Sequence, residues 1–293
     1  MVRCILNWYT HRKESHQMKG VGGMRKWPKL RFAGCACLLL LLLSVTAMAA
    51  FWPDTKSAGP RKTDGALQVD IGHIDEGYML VRGGKTGKRL KLKVARGNYS
   101  VMYDLNGKNE YEVLPLQFGN GQYRLTLYKQ ISGSRYSEEG AVSFKADMED
   151  VNCAFLFPNT YINYTADSKA VLRAEEICRG LETEKEKYDA ITDYVKSAFV
   201  YDYVRAVTVK TDGLPDVDYC INKGMGICQD LAATSVCMLR SQGIPAKLVI
   251  GDANGQYHAW VQVTVEGKEI IFDPTAILQN MPKPVEYAVE RWY

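Results

Sequence analysis

The chain has 293 residues, of which 46% are hydrophobic and 11% aromatic, and its formal net charge is +4 at pH 7. This composition is that of a folded globular protein and excludes the disordered and collagen-like classes. Residues 1–34 contain eight Lys or Arg and the single acid Glu14, so the rest of the chain has a net charge of −3. Because the positive charge is confined to the N-terminus, the sequence predicts no nucleic-acid partner.

An apolar segment follows these basic residues. Residues 32–50 carry no charge and contain Ala47-Met48-Ala49, the small-residue pattern that a signal peptidase accepts. With the basic residues that follow Met24, this pattern predicts an export signal, and residues 1–23 then form an extension upstream of the true start. The uncharged run is also close to the ~20 residues that span a bilayer, so a membrane tether through residues 32–50 is the alternative to cleavage. The sequence therefore predicts a protein that is secreted or attached to the outer face of the cytoplasmic membrane.

The next part of the chain has the pattern of β-structure. Residues 51–64 are polar and are predicted to form a linker. Residues 65–147 alternate between apolar and polar side chains, as in residues 88–94 and 123–128, and glycine-rich turn signals such as residues 83–87 separate the runs. Short strands at this spacing predict an antiparallel β-sandwich domain.

Within residues 150–293 the apolar residues recur at helical spacing, and we interpret these residues as a second domain. Thr183 and Glu186 have the spacing of a capping box at a helix start. Residues 207–226, rich in Asp and Gly, are predicted to form a loop. The predicted helices cover residues 167–181, 183–200 and 228–243, and the predicted strands cover residues 247–250, 257–265 and 269–272. A block of strands followed by mixed helices and strands indicates an α+β protein.

Three residues of the second domain have the side chains that nucleophilic acyl transfer requires. Cys228 opens a predicted helix, where unpaired N–H groups and the helix dipole favour a thiolate. His258 begins a strand whose alternate residues are apolar, so His258 and Trp260 face the other side, where we expect a cleft. Asp273 ends the next strand, and the turn at residues 266–268 brings it near His258. Each residue alone is compatible with a structural role; their combination predicts a nucleophile, a base and a residue that orients the base.

The segments around these residues resemble the bacterial transglutaminase-like core, which belongs to the papain-like cysteine-enzyme superfamily. The matching segments are GICQDLA at residues 226–232, LRSQGIPA at 239–246, HAWVQV at 258–263 and FDPT at 272–275. The resemblance covers about residues 150–280, and the order Cys, His, Asp agrees with it. It implies a papain-like fold for the second domain, and it implies nothing about the β-sandwich or the substrate.

The resemblance also implies roles for individual residues. Cys228 would be the nucleophile, His258 the base that activates it, and Asp273 the residue that orients the imidazole. Related enzymes add a side-chain donor that stabilises the oxyanion, and here Tyr201 and Asn222 are the candidates, beside the backbone N–H of Cys228.

Trp260 is a candidate wall of the cleft, with a core role as the alternative. The calcium dependence of the animal enzymes does not carry over, because Asp212, Asp216 and Asp218 lack the spacing of a calcium loop, and we interpret them as a solvated loop. The sequence also lacks a C-x-x-C spacing, which is typical of a zinc site. No metal and no cofactor is therefore predicted.

An odd number of cysteines lies beyond residue 50, so at least one of them is free or pairs between chains. These five are Cys153, Cys178, Cys220, Cys228 and Cys237.

Two functions follow from the sequence. The first is an exported thiol enzyme that forms a thioester with a protein, peptide or cell-wall peptide substrate, acting as a protease, amidase or transglutaminase. The second is a non-catalytic cell-surface module that binds peptide or cell-wall components. An intact triad favours the enzyme, because a binding module does not need the three residues together.

Overall fold

The computed structural model describes residues 52–57, 59–209 and 214–293. The predicted export signal or anchor at residues 1–50 lies outside the described residues. Residues 50–293 form one compact unit. None of the helices within the described ranges combines the length and the apolar character needed to cross a bilayer.

Two four-stranded antiparallel sheets form the first part of this unit. One sheet has the strand order β1 (Arg61–Asp64), β2 (Leu67–Asp70), β3 (Tyr78–Arg82) and β6 (Glu112–Pro115). The other has the order β5 (Tyr99–Leu105), β4 (Leu90–Arg96), β7 (Gly121–Ser132) and β8 (Arg135–Ala146).

Inward-facing side chains of both sheets share one buried apolar cluster, which includes Leu67, Met79, Leu92, Tyr123 and Leu125. The alternation along the strands produces this arrangement because successive side chains point to opposite faces. The predicted β-sandwich is confirmed, but the predicted linker at residues 51–64 is wrong at its end, because Arg61–Asp64 pair with β2 as the strand β1.

Helices and a third four-stranded antiparallel sheet form the remainder of the unit, so the predicted α+β class is confirmed. A 3₁₀-helix covers Val151–Phe155. The α-helices are α1 (Lys169–Ile177), α2 (Glu184–Ala198), α3 (Tyr203–Thr208), α4 (Tyr219–Lys223), α5 (Cys228–Ser241) and α6 (Pro274–Leu278). The short strands β9 (Val200–Tyr201) and β10 (Met225–Gly226) pair in parallel. The sheet has the order β13 (Lys268–Phe272), β12 (Gln256–Val265), β11 (Ala246–Ala253) and β14 (Tyr287–Trp292).

Helix α2 begins as predicted. The Thr183 hydroxyl accepts a hydrogen bond from the Glu186 N–H at 3.2 Å, and the Glu186 carboxylate accepts one from the Thr183 N–H at 3.0 Å. Both contacts satisfy N–H groups that have no acceptor within the helix, which confirms the capping box.

The prediction of a solvated loop is wrong at Asp218. Its carboxylate accepts hydrogen bonds from the backbone N–H groups of Lys169 at 3.0 Å and Ala170 at 2.9 Å, so it caps α1 from outside that helix. Two short helices, α3 and α4, also lie partly within the predicted loop. Sequence spacing did not reveal these contacts because the capping partner is almost 50 residues away. Asp216 is exposed, and Asp212 lies outside the described residues.

The two cores meet at the strand β14. Gln117 follows the first sheet, and its side-chain amide donates a hydrogen bond to the Trp292 carbonyl at 2.6 Å. The Trp292 indole N–H donates to the Gln117 carbonyl at 3.1 Å, and the Tyr103 hydroxyl donates to the Gln117 side-chain oxygen. Tyr99 and Phe118 contact the Trp292 ring with centroids 5.5 and 6.0 Å away. The β-sandwich is thus joined to the last strand of the third sheet.

Candidate active site

Cys228 is the first residue of α5, a helix whose residues Asp230–Ser241 are all buried. The strand pairing of Gly226 with Tyr201 leads the chain into this helix. A Cβ at Gly226 would lie 2.6 Å from the Cys220 sulfur, so only glycine permits this close approach. Cys228 is half-buried, whereas the other described cysteines are buried, and all five are free of disulfides. The first turn of a buried helix thus presents one reachable sulfur.

His258 lies on β12 and is buried. Its Nε2 is 2.8 Å from the Oδ2 atom of Asp273. The side chain of Cys228 lies beside the same ring, where it helps to raise the pKa of His258. Because Asp273 occupies Nε2, Nδ1 is the ring nitrogen left for the sulfur. The structure therefore brings the three predicted residues together, with His258 in the middle.

Asp273 is fixed through both carboxylate oxygens. It precedes α6, and its Oδ1 atom accepts a hydrogen bond from the Ala276 N–H at 2.9 Å as the N-cap of that helix. Its Oδ2 atom accepts from His258 and also from the Tyr287 hydroxyl, 3.0 Å away. Three donors from three elements define the position of this buried carboxylate.

The surroundings of His258 favour its protonated form. Burial alone lowers the pKa of His258, but the hydrogen bond to Asp273 and the interaction with Cys228 outweigh burial and raise the pKa to about 9. At neutral pH the ring is therefore an imidazolium beside the Cys228 sulfur. A cation at this position is suited to pair with a thiolate, the nucleophilic form of cysteine.

The structure separates the two candidates for the side-chain oxyanion donor. Tyr201 pairs with the residue two positions before Cys228. Burial raises the pKa of Tyr201, and charge on the nearby Cys228 raises it further, so the phenol keeps its proton. Asn222 is exposed on α4, and its side-chain oxygen accepts a hydrogen bond from Lys169. The geometry favours Tyr201 of the two.

Trp260 is only 1% exposed, and this burial favours the core role that the sequence had left as the alternative. Its ring stacks on His258 with centroids 6.3 Å apart and contacts Tyr287 with centroids 4.8 Å apart. With this exposure the Trp260 side chain does not line an open cleft. It packs against both rings instead.

Sequence reasoning missed two groups around this site. One is Tyr287, for which no local pattern signalled a contact with Asp273. The other is an ion pair in which Arg205 Nε lies 2.7 Å from the buried carboxylate of Asp230. The same carboxylate accepts a hydrogen bond from the Ile227 N–H at 3.2 Å, next to the nucleophile. The position of Asp230 in the first turn of a predicted helix was the available signal.

Among the described residues, no group of three or more His, Cys, Asp and Glu side chains is arranged to hold a metal ion.

Cys228, His258 and Asp273 thus lie together on an α+β core. Residues 172–274 match the family model described as the transglutaminase-like superfamily, and this range includes Cys228, His258 and Asp273. Residues 172–274 therefore form a transglutaminase-like domain.

Individual proteins are similar to this chain over larger parts of it. YebA of Bacillus subtilis (strain 168), described as uncharacterized, is 30% identical over 257 residues, which are 78% of this chain and 33% of YebA. The chain thus spans about one third of the length of this relative.

Two solved structures are also similar. A protein described as a candidate cysteine protease from Cytophaga hutchinsonii has a TM-score of 0.38 and 19% identity, covering 69% of this chain and 68% of that protein. The periplasmic domain of TgpA from Pseudomonas aeruginosa has a TM-score of 0.36 and 16% identity, covering 78% of this chain and 79% of that domain. The assignment to the superfamily rests on the family match.

Proposed function

We propose that this protein is an exported thiol enzyme that transfers or hydrolyses acyl groups at peptide or carboxamide bonds through a thioester. The observation that carries the proposal is the position of His258, which contacts both Cys228 and Asp273 and has its pKa raised to about 9. The proposed substrate is a protein, a peptide or a cell-wall peptide outside the cytoplasm.

In the first half-reaction, the Cys228 thiolate attacks the carbonyl carbon and a C–S bond forms. The carbonyl oxygen becomes an oxyanion, toward which the Cys228 N–H and the Tyr201 hydroxyl are the proposed donors. The Cys228 N–H is suited to this role because the first N–H groups of a helix have no acceptor within it. The His258 imidazolium then protonates the leaving nitrogen, the C–N bond breaks, and a thioester remains.

In the second half-reaction, water or a primary amine attacks the thioester. Neutral His258 takes a proton from this nucleophile, the C–S bond breaks, and the pair of thiolate and imidazolium is restored. Asp273 keeps the ring oriented throughout. Hydrolysis is the favoured outcome because water is abundant outside the cell and no amine-binding motif is visible in the sequence.

The proposal is tested first by alkylation. Iodoacetamide at pH 7, followed by peptide mass mapping, should label Cys228 and leave the four buried cysteines beyond residue 50 unmodified. A His258→Ala variant should slow the labelling by roughly 100-fold or more, because it removes the cation beside the sulfur. The control is Cys237→Ala, which changes a buried cysteine on the same helix. Labelling of Cys228 at equal rates in the wild type and in His258→Ala would contradict the proposed thiol-enzyme function.

The acceptor is tested with Gln-containing peptides incubated with and without a primary amine. Ammonia alone indicates an amidase, cleavage products indicate a protease, and amine incorporation indicates a transglutaminase. Cys228→Ala should abolish whichever product is found. Binding of the peptide by both forms with no product from either would favour the non-catalytic module.

A further inference from the structure

Tyr287 contacts the triad from a strand that sequence reasoning did not predict. It is the first residue of β14, which pairs with β11, and β11 separates it from the strand of His258. Its hydroxyl donates a hydrogen bond to the Oδ2 atom of Asp273 at 3.0 Å. The same oxygen accepts the His258 bond of 2.8 Å. The phenol and the imidazole therefore share one acceptor.

The ring of Tyr287 is held by packing. The Trp260 ring contacts the rings of both His258 and Tyr287, with centroid distances of 6.3 and 4.8 Å. Trp260 is only 1% exposed, so it is a closely packed neighbour of both. These ring contacts restrict the movement of the Tyr287 ring.

The Tyr287 hydroxyl remains a donor over the working pH range. Burial raises the pKa of Tyr287, and the negative charge of Asp273 raises it further. A protonated phenol beside a carboxylate makes a charge-assisted hydrogen bond, which is stronger than a neutral one.

We propose that Tyr287 is a positioning residue, which holds the Asp273 carboxylate in the orientation that aligns His258 with Cys228. Without it, Oδ2 keeps only the hydrogen bond to His258, and the carboxylate can turn about its bond to Ala276. The ring of His258 would then lose its fixed direction toward the sulfur. The inference rests on the proposed function, because it assigns a second contact to the same triad.

Tyr287→Phe tests the inference because it removes one oxygen atom and keeps the ring that packs on Trp260. We expect iodoacetamide to alkylate Cys228 roughly 10-fold more slowly in this variant at pH 7, as expected for loss of a hydrogen bond to a charged group. The matched control is Tyr257→Phe. Tyr257 is adjacent to His258 in sequence, but it is 68% exposed and its hydroxyl contacts Arg291. The control should react at the rate of the wild type.

A double-mutant cycle separates positioning from a general structural effect. If Tyr287 acts through Asp273, Tyr287→Phe should have almost no further effect on the alkylation rate in an Asp273→Asn background. A further 10-fold loss in that background would overturn the inference. Equal rates for Tyr287→Phe and the wild type would also overturn it.

A spectroscopic measurement gives a readout that packing alone does not change. The Nε2 proton of His258 that is bonded to Asp273 is expected as a downfield proton NMR signal of the full-length chain, assigned by its loss in His258→Gln. Tyr287→Phe should shift this signal, and Tyr257→Phe should leave it in place. An unshifted signal would contradict the inference.

Failure of this inference is distinguishable from failure of the proposed function. If His258→Ala leaves the alkylation of Cys228 unchanged, the thiol enzyme itself is contradicted. If His258→Ala slows alkylation and Tyr287→Phe does not, the thiol enzyme stands and the role of Tyr287 is contradicted.

Discussion

Tyr201 and Cys228 are close enough for charge on the sulfur to raise the pKa of the phenol, although they lie 27 positions apart in sequence. The pairing of β9 with β10 explains this proximity, because it places Tyr201 beside the turn that leads into α5. A side chain at this position can donate to an oxyanion only if it keeps its proton, and burial ensures that it does.

Replacement of this hydroxyl tests its role as an oxyanion donor. Tyr201→Phe should lower the kcat of the thiol reaction by ~100-fold or more with little change in KM, because the donor acts on charge that develops in the transition state. The measurement is steady-state kinetics on the substrate found in the peptide assay. Tyr203→Phe is the control, since Tyr203 is exposed and contacts the Tyr201 ring without lying at the sulfur. Equal kcat for the two variants would exclude Tyr201 as the donor.

The raised pKa of His258 also predicts how stability depends on pH. The folded-state pKa of about 9 exceeds the ordinary value of 6.5, so the stabilisation is fully present below about pH 6.5 and is lost as the pH rises through 9. The free energy of unfolding should therefore fall by on the order of 3 kcal/mol between pH 6.5 and 9.5 relative to a His258→Gln variant. Urea unfolding across this range measures the difference. A difference that does not change with pH would contradict the raised pKa.

At the scale of elements, the close approach of β14 to β11 depends on Gly251. The pairing of the two strands shifts in register between Ile250 and Gly251. A Cβ at Gly251 would lie 2.1 Å from the Ala288 carbonyl oxygen and 3.0 Å from the Glu290 nitrogen. Glycine at this position therefore permits β14 to approach, and β14 carries Tyr287 to Asp273.

Gly251→Ala should push β14 away from β11. We expect a loss of ~1–3 kcal/mol in the free energy of unfolding, as for overpacking of a closely packed site, together with slower alkylation of Cys228. Urea unfolding and the iodoacetamide assay measure the two effects. Gly87→Ala is the matched control, because nothing lies within 4 Å of a Cβ built there, and it should change stability by less than ~0.5 kcal/mol. Equal effects of the two substitutions on unfolding and alkylation would contradict the role of Gly251 in the close approach of β14.

A buried cation links α5 to the same strand. Arg240 donates hydrogen bonds to the carbonyl oxygens of Ala246 at 2.8 Å, Phe157 at 2.7 Å and Tyr293 at 2.8 Å. Complete burial lowers the pKa of Arg240 to about 10, which still leaves the guanidinium charged at neutral pH. Three carbonyl oxygens accept hydrogen bonds from the planar guanidinium, and a lysine ammonium could not reproduce this arrangement. Arg240, near the end of the helix that begins with Cys228, thus binds the carbonyl of the residue that follows β14.

At the scale of the whole molecule, the contacts of Trp292 join two hydrophobic cores. The β-sandwich contributes Gln117, Phe118 and Tyr99, and the third sheet contributes Trp292. Because these contacts are aromatic packing combined with reciprocal hydrogen bonds, we expect the cores to unfold together.

Trp292→Ala should remove this coupling. We expect a loss of ~2–4 kcal/mol in the free energy of unfolding and separate unfolding of the two cores. Hydrogen exchange of β7 and of α5 at increasing urea concentrations shows whether the two lose protection together. Val289→Ala is the control, since Val289 is an exposed residue of the same strand. Coincident transitions in Trp292→Ala would show that the two cores are coupled elsewhere.

Much of the fold was predictable because its signals are local. The alternation in residues 88–94 marks a strand that is buried on one face, and the capping box of Thr183 and Glu186 marks a helix start. Cys228, His258 and Asp273 were found in the same way, from their places at element ends and in motifs. The contacts of Asp218 with α1 and of Arg205 with Asp230 were not predictable, because each joins residues 25 or more positions apart.

The sequence by itself determined the elements, the superfamily resemblance and the three residues of the proposed triad, because helix periodicity, strand alternation and motif spacing depend on neighbours along the chain. Only the tertiary structure decided that Tyr201 rather than Asn222 lies beside the sulfur, that Trp260 is packing and that Tyr287 reaches Asp273. The physical reason is that hydrogen bonds and ring contacts depend on distance in space. Strand register and helix packing set those distances, and both are established only when the whole chain folds.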